Sequence, residues 1–445
     1  MGESSAWIRH AIFWHVYPLG FTDAEPAALP NGPVHHRLRH IIDWMDYAVR
    51  LGCSGLLLGP VFAASTHGYD TIDHFRIDSR LGDEADFDAL IAAARARGLR
   101  VVLDGVFNHV GRAFGPFQSV LRDGPGSPAC DWFRLTWPPG SQAGEEPQYA
   151  TFEGHHDLVA LNHDSAAVRD YVARVMTYWL DRGASGWRLD AAYAVPPTFW
   201  ASALPLVRQA HPDAWCVGEV IHGDYGGFVR DSTVDSVTQY ELWKAIWSAL
   251  NDRNLFELAW ALDRHNGFLD AFSPLTFVGN HDVTRLASQL DDTRHVAHAL
   301  AILLTVGGVP CIYAGDEQGF RGVKEHRAGG DDAIRPAFPP TPDGLAPFGW
   351  PTYRLHQDLI GLRRRHPWLH SARTKALHVA NHDMLLETRS PEGRLIVASN
   401  VGDTVVVRPV PGARVCLAGD GKLAADDTPD ARLTVPGHGW AVLSA

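Results

Sequence analysis

Gly186–Tyr193 reads GWRLDAAY. Its first six residues form a short apolar run that ends in two charged groups, Arg188 and Asp190. Successive strand residues point to opposite faces, so positions 188 and 190 share one face. A guanidinium beside a carboxylate favours the ionised acid. Three further segments stand out, DGVFNHV (104–110), GEVIHGD (218–224) and FVGNHDVTR (277–285). Each lies at the end of an apolar run. Together these segments supply Asp104, Asn108, His109, Arg188, Asp190, Glu219, His222, His281 and Asp282.

Outward from them, eight apolar runs are spaced along the chain: Ile12–Pro18, Ser54–Pro60, Val101–Phe107, Gly186–Ala191, Trp215–Val220, Ser236–Tyr240, Leu275–Asn280 and Cys311–Ala314. Helical periods fall between them, at Arg39–Leu51, Asp86–Gly98, Ala167–Leu180, Pro197–Ala210 and Thr293–Leu304. Strands alternating with helices suggest an α/β fold with a parallel sheet, either a closed (β/α)₈ TIM barrel or an open doubly wound sheet. The polar groups gather at the C-terminal ends of the runs, where barrels carry their chemistry, which favours the barrel. Residues 111–160 break the rhythm with Gly, Pro and aromatics and read as a small domain inserted after strand 3. Residues 1–110 and 161–370 form the expected barrel. Residues 371–445 lose the helical period and read as a C-terminal antiparallel β-sandwich.

The net charge of −12 argues against nucleic acid or an anionic membrane as partner. No apolar run is long enough to span a bilayer. The five cysteines (Cys53, Cys130, Cys216, Cys311, Cys416) are odd in number and widely spaced. They read as thiols in a reducing compartment, so the expected location is cytoplasmic.

Two carboxylates flanking an acetal can cleave it, one protonating the leaving oxygen while the other attacks the anomeric carbon. Asp190 and Glu219 end the fourth and fifth runs and can face each other. Asp282, from the seventh, can hold sugar hydroxyls as charge develops.

The four segments resemble the regions shared by the α-amylase family, glycoside hydrolase family 13. The resemblance implies Asp190 as nucleophile, Glu219 as general acid/base and Asp282 as transition-state stabiliser. It implies that Arg188, His109 and His281 line the −1 sugar site. HGYDTIDHFRID (67–78) is similar to the stretch whose tyrosine stacks on that sugar, which would be Tyr69. Asp104 would support the site from the third strand. VALNHDSAAVRDYV (159–172) resembles the family's fifth region. Residues 117–135 resemble the inserted domain of maltogenic amylases, neopullulanases and cyclomaltodextrinases, the members of subfamily 20. GGDDAIRP (329–336) resembles their eighth-strand loop, so Asp332 or its neighbour Asp331, with Arg335, would reach subsite −2.

The implied activity is retaining hydrolysis of short or cyclic α-glucans, cyclic α-maltosyl-(1→6)-maltose among them, with transglycosylation as the alternative. The partner is then a small oligosaccharide. Two departures stand out. Subfamily members usually carry a β-rich N-terminal domain, whereas the first strand here starts near Ile12. The expectation is that this domain is absent, leaving a monomer or a dimer through another surface. Ile221 stands where relatives carry a tryptophan on the +2 side, while His222 remains as a +1 contact. Asn108 matches a calcium ligand of many amylases, but FTDAEPAALPNG (21–32) lacks a dense Asp/Asn set. No required cofactor is expected, with calcium at Asn108 as the alternative. Phe117, Trp132, Phe133 and Trp137 are candidates either for the cleft wall or for the insert's own core.

Overall fold

Eight short parallel strands carry the fold in the computed structural model, which describes residues 3–29, 32–327, 329–424 and 431–445. They are β1 (Phe13–Val16), β2 (Gly55–Leu58), β3 (Arg100–Gly105), β4 (Gly186–Leu189), β5 (Trp215–Gly218), β6 (Ser236–Val237), β7 (Leu275–Thr276) and β8 (Val309–Tyr313). Their order is β6-β5-β4-β3-β2-β1-β8-β7. A parallel bridge between Thr238 and Leu275 joins the two ends, closing a TIM barrel. Each of the eight apolar runs overlaps one of these strands, with β3 and β8 starting one and two residues ahead of theirs.

The strands are buried on both faces, so they read as continuous apolar runs. Alternate residues sort to opposite sides. Phe13, Leu57, Val102, Trp215, Val217 and Cys311 pack in one cluster. Trp14, Leu56, Val101, Trp187 and Cys216 join the larger cluster with the surrounding helices. Gly55 sits opposite Phe13 in the β1–β2 register. A Cβ there would meet the Phe13 ring at 2.6 Å, so the missing side chain makes room for the ring.

The main helices outside the excursion are α1 (Leu38–Leu51), α2 (Glu84–Ala96), α3 (Ala166–Asp181), α4 (Pro197–Arg208), α5 (Tyr225–Ser232), α6 (Tyr240–Asn251), α7 (Leu255–Phe268), α8 (Val296–Thr305) and α9 (Trp350–Arg365). In α1, Ile41, Trp44, Met45 and Ala48 are buried at helical spacing. It stops at Gly52, whose φ of 103° is easy only for glycine. Asp83 caps α2 reciprocally: its side chain accepts the Ala85 and Asp86 N–H groups, and the Asp86 carboxylate accepts the Asp83 N–H.

The excursion after β3 is pinned to the barrel through a small sheet, in which Thr151–Phe152 and His109–Gly111 flank His155–Ala160. Phe117 and Phe133 are buried and meet edge to face at 5.1 Å, with Tyr149 against Phe117 at 5.0 Å. Trp132 packs on Tyr171 at 5.0 Å, and Trp137 lies partly buried against the main core. All four aromatics weighed for the cleft wall therefore serve packing.

Beyond α9 lie β9 (Arg373–Val379), β10 (Asp383–Ser390), β11 (Gly393–Asn400), β12 (Val406–Pro409), β13 (Val415–Gly419), β14 (Lys422–Leu423), β15 (Arg432–Val435) and β16 (Trp440–Ser444). A five-stranded sheet, β9-β10-β11-β16-β13, and a three-stranded one, β12-β15-β14, enclose Leu385, Ile396, Leu433, Val435 and Leu443. This is the expected C-terminal antiparallel unit. The five cysteines are unpaired, with Cys53, Cys216 and Cys311 buried. No described helix is long and apolar enough to cross a membrane.

Candidate active site

The β4 and β5 ladder sets the centre of the site. Leu189 pairs with Gly218, and the Glu219 N–H donates to the Leu189 carbonyl at 2.9 Å. Asp190 and Glu219 therefore leave adjacent strands at the same level. Neighbouring strands lie about 4.7–4.9 Å apart. Ala191 follows with φ at 44°, a left-handed conformation rare for alanine. That turn aims its N–H at Glu219 Oε2, 2.9 Å away.

Arg188 is buried at the hub. Its Nη1 donates to both oxygens of Asp104 at 2.7 Å and to Asp190 Oδ1 at 3.1 Å. Its Nη2 lies 2.8 Å from Glu219 Oε1 and 3.8 Å from Asp282 Oδ2. The guanidinium is thus shared, which modifies the simple expectation that it keeps Asp190 ionised. Burial pushes the Asp190 carboxyl well above its ordinary range, Arg188 pulls it down, and Glu219, Asp104 and Asp282 push it further up. Burial likewise raises Asp104 to about 6 against the pull of Arg188. Burial thus favours the neutral form of Asp104 and Asp190, and Arg188 opposes it at both.

The rim is built around Asp282 and His281. Arg335 Nη2 donates to Asp282 Oδ1 at 2.9 Å, and its Nε donates to the His281 carbonyl at 2.9 Å. Tyr69 O–H donates to Asp104 Oδ2 at 3.1 Å and contacts His281 Nε2. His281 Nε2 also lies 3.1 Å from Asp282 Oδ2. Burial holds His281 well below its usual range, so the ring stays neutral. His109 is buried, with Nε2 at 3.0 Å from the Tyr69 carbonyl and Phe152 parallel to its ring at 4.6 Å.

The structure brings Tyr69, Asp104, His109, Arg188, Asp190, Glu219, His281, Asp282 and Arg335 into one connected mouth. His222 stands exposed on the loop after β5, beside Ile221, which is 41% exposed. Asp332 is exposed and outside this network. The residue that pairs with Arg335 is its neighbour Asp331, at 2.9 Å, the two being one helical turn apart.

Asn108 is buried, with its amide 3.1 Å from His109 Nδ1. Calcium takes six to eight oxygen ligands. Among the described residues, the His, Cys, Asp and Glu groupings close enough to share an ion are Asp292 with His295 and His438, and His36 with Asp83 and Asp86. Neither includes a residue next to Asn108 in the chain, and the Asn108 amide nitrogen ties it to the His109 ring.

Four site neighbours escaped the sequence reading. Tyr240 O–H donates to Glu219 Oε1 at 3.2 Å, and Asn280 Nδ2 donates to the Tyr240 oxygen at 2.9 Å. Asn280 Oδ1 also accepts the Asp282 N–H. Tyr17 lies under the Arg335 guanidinium at 4.6 Å, and His15 meets His281 edge on at 4.9 Å. All four sit at or near the ends of the first, sixth and seventh apolar runs, the position that marked the others. Phe152 carried no such signal, because its place depends on how the excursion folds back.

Residues 15–338 match the sequence profile of the "Alpha amylase, catalytic domain". The chain belongs to the α-amylase family. Among its relatives in that family is a cyclomaltodextrinase of Geobacillus thermopakistaniensis, 34% identical over 344 residues, covering 72% of this chain and 58% of that protein. An intracellular maltogenic amylase of Bacillus subtilis is 30% identical over 73% of this chain and 58% of its own length. The chain thus spans less than two thirds of these relatives. Among solved structures, a debranching enzyme of Nostoc punctiforme superposes with a TM-score of 0.82 at 27% identity, covering 100% of both chains. A cyclic α-maltosyl-(1→6)-maltose hydrolase of Arthrobacter globiformis, bound to that sugar, gives 0.82 at 26% identity, over 99% of this chain and 100% of that one.

Proposed function

We propose that this chain is a retaining hydrolase of short or cyclic α-glucans, with Asp190 as nucleophile, Glu219 as general acid/base and Asp282 as stabiliser of the developing charge. The observation that carries the reading is the shared guanidinium of Arg188, within 3.1 Å of Asp104, Asp190 and Glu219. Side-by-side carboxylates on adjacent strands suit the separation of about 5–5.5 Å used by retaining enzymes. In the first step Glu219 gives its proton to the glycosidic oxygen while Asp190 attacks the anomeric carbon. The old C–O bond breaks, the leaving sugar departs as an alcohol, and a glycosyl ester on Asp190 remains. Glu219 then takes a proton from water, whose oxygen attacks the same carbon and releases Asp190. The mechanism requires the acid proton on Glu219 when the acetal is bound. Arg188 and Asp104 keep the acids in place, and neutral His281 offers a hydrogen bond to a sugar hydroxyl, while His109, with both ring nitrogens engaged, braces Tyr69.

Substrate size follows from the mouth. An aliphatic Ile221 offers no aromatic platform for a long chain on the leaving side. Phe152, brought over His109 by the excursion, and the loop of Asp331 and Arg335 wall the other side. Cyclic α-maltosyl-(1→6)-maltose, the ligand of the Arthrobacter relative, is the leading candidate. Cyclomaltodextrinase or maltogenic amylase activity is the alternative on the same scaffold. A cytoplasmic location fits the unpaired thiols and the intracellular Bacillus relative. The test is product analysis on cyclic maltosyl-maltose, β-cyclodextrin, pullulan, starch, maltotriose and sucrose. Cleavage of the cyclic or short substrates supports the reading, and preference for starch overturns it. Products longer than a maltotetraose substrate, in excess of hydrolysis, would assign a transglycosylase instead.

A further inference from the structure

A second cluster of chemically capable side chains lies where the barrel meets the C-terminal sheets, apart from the carboxylate network. Asp292 and His295 precede α8, the helix between β7 and β8. His438 lies in the turn between β15 and β16, and Asp403 in the turn after β11. His295 Nε2 is 3.0 Å from His438 Nδ1, and His438 Nδ1 is 3.6 Å from Asp292 Oδ2. One ligand atom from each of the three falls within 4.8 Å of the others. Both imidazoles are buried.

We propose that Asp292, His295 and His438 form a binding site for a zinc-class divalent transition ion that staples the barrel to the C-terminal domain. Zinc binds His nitrogen at about 2.0–2.1 Å and carboxylate oxygen at about 2.0–2.2 Å, so tetrahedral ligand atoms stand about 3.3 Å apart. The separations of 3.0 and 3.6 Å bracket that edge. Two imidazoles and one carboxylate are a donor set that suits zinc, whereas calcium takes oxygens.

A separate observation sets the orientation of His438. Its Nε2 lies 2.7 Å from Asp403 Oδ1. A carboxylate there fixes the proton on Nε2 and leaves the Nδ1 lone pair facing Asp292 and His295. Such a carboxylate–histidine pair is the usual outer support of a zinc ligand. The backbone is held to the same end: His438 has φ at 57°, and its N–H donates to the Gly402 carbonyl at 3.0 Å. A left-handed histidine is costly and persists where the surroundings enforce it. Asp292 also accepts from Arg294, yet a carboxylate has about four lone-pair positions, so the ion and Arg294 can share it. The Asp292 side chain is 22% exposed, which leaves a solvent-side position for water as fourth ligand.

The test uses the full chain without a histidine tag, stripped with EDTA and then titrated with Zn²⁺ or Co²⁺. The expected result is one equivalent bound, a tetrahedral Co²⁺ absorption band and a higher unfolding temperature. His438→Asn, His295→Gln and Asp292→Asn should each remove the band and the thermal shift while leaving glucan hydrolysis unchanged. Asparagine tolerates the left-handed backbone, so His438→Asn separates loss of the ligand from loss of the fold. His36→Gln, in the other His/Asp grouping, should bind as the parent does. Failure of the parent chain to bind stoichiometrically overturns the proposal. So does undiminished binding in the His438 and His295 variants, or loss of binding in His36→Gln.

Discussion

At position 188 one guanidinium serves three carboxylates at hydrogen-bond distance, and the proposed mechanism divides the chemistry between Asp190 and Glu219. Asp190→Asn and Glu219→Gln should each lower kcat by several orders of magnitude with the unfolding temperature little changed, because each removes a bond-making group and keeps its volume. The first product released should be the α-anomer, seen by NMR before mutarotation. Near-parental activity in either variant, or β-anomer first, would refute the assignment. A different acid governs stability. Glu317 is fully buried, accepting the Tyr47 O–H and the Gly315 N–H at 2.9 Å each. Burial raises it from 4.5 to about 7. A raised acid contributes stability that is complete below its unfolded value, near 4.5, and is lost as pH rises through 7. The loss is at most about 3 kcal/mol. Glu317→Gln cannot ionise, so the parent's stability advantage over it should be larger at pH 5 than at pH 8 in urea unfolding. An equal advantage at both pH values would rule the mechanism out.

At the element scale, the β4–β5 pairing positions the two carboxylates, and Gly186 opens it. A Cβ on Gly186 would lie 2.2 Å from the Trp215 carbonyl oxygen, a backbone atom that cannot turn aside. On Gly55 it would meet the Phe13 ring, which can shift. Both alanine variants overpack, at a usual cost of about 1–3 kcal/mol. Gly186→Ala should be the more damaging, in urea midpoint and in kcat together, since it displaces the strand that carries Asp190. If Gly55→Ala proves worse, the β4–β5 contact is not what sets the site. The apolar runs reveal the strands because both strand faces are buried. Helical period reveals α1 to α4 and α8. α6 is missing from that set, although Glu241, Lys244, Ser248 and Asn251 recur there at helical spacing opposite the buried Leu242, Ala245, Ile246 and Ala249.

Taken whole, the molecule brings segments far apart in sequence to the carboxylate network, Phe152 of the excursion after β3 and Arg335 of the loop after β8, and the proposed reading has them wall the mouth. A walled mouth favours a compact ligand that spends its full binding energy at once. The kcat/KM for cyclic maltosyl-maltose or a short malto-oligosaccharide should exceed that for soluble starch at least about tenfold, or roughly 1.4 kcal/mol of transition-state preference. One reducing-sugar assay on both substrates decides it, and equal or faster starch cleavage means an open cleft.

Strand-end chemistry was legible in the sequence alone. Strand period placed Arg188 and Asp190 on one face, and the recurrence of polar groups at run ends picked out Asp104, His109, Glu219, His281 and Asp282 besides; Tyr69 and Arg335 came from the family resemblance alone. These are local properties, determined by alternation along a strand and by one end of a barrel being open. What only the tertiary structure decided is which groups meet. Arg188 is divided among Asp104, Asp190 and Glu219; Asp331 rather than Asp332 holds Arg335; Phe152 lies on His109; and His438 meets His295 across 143 residues. Such contacts join segments whose spacing along the chain carries no distance information. They exist only once packing of the core has brought those segments together.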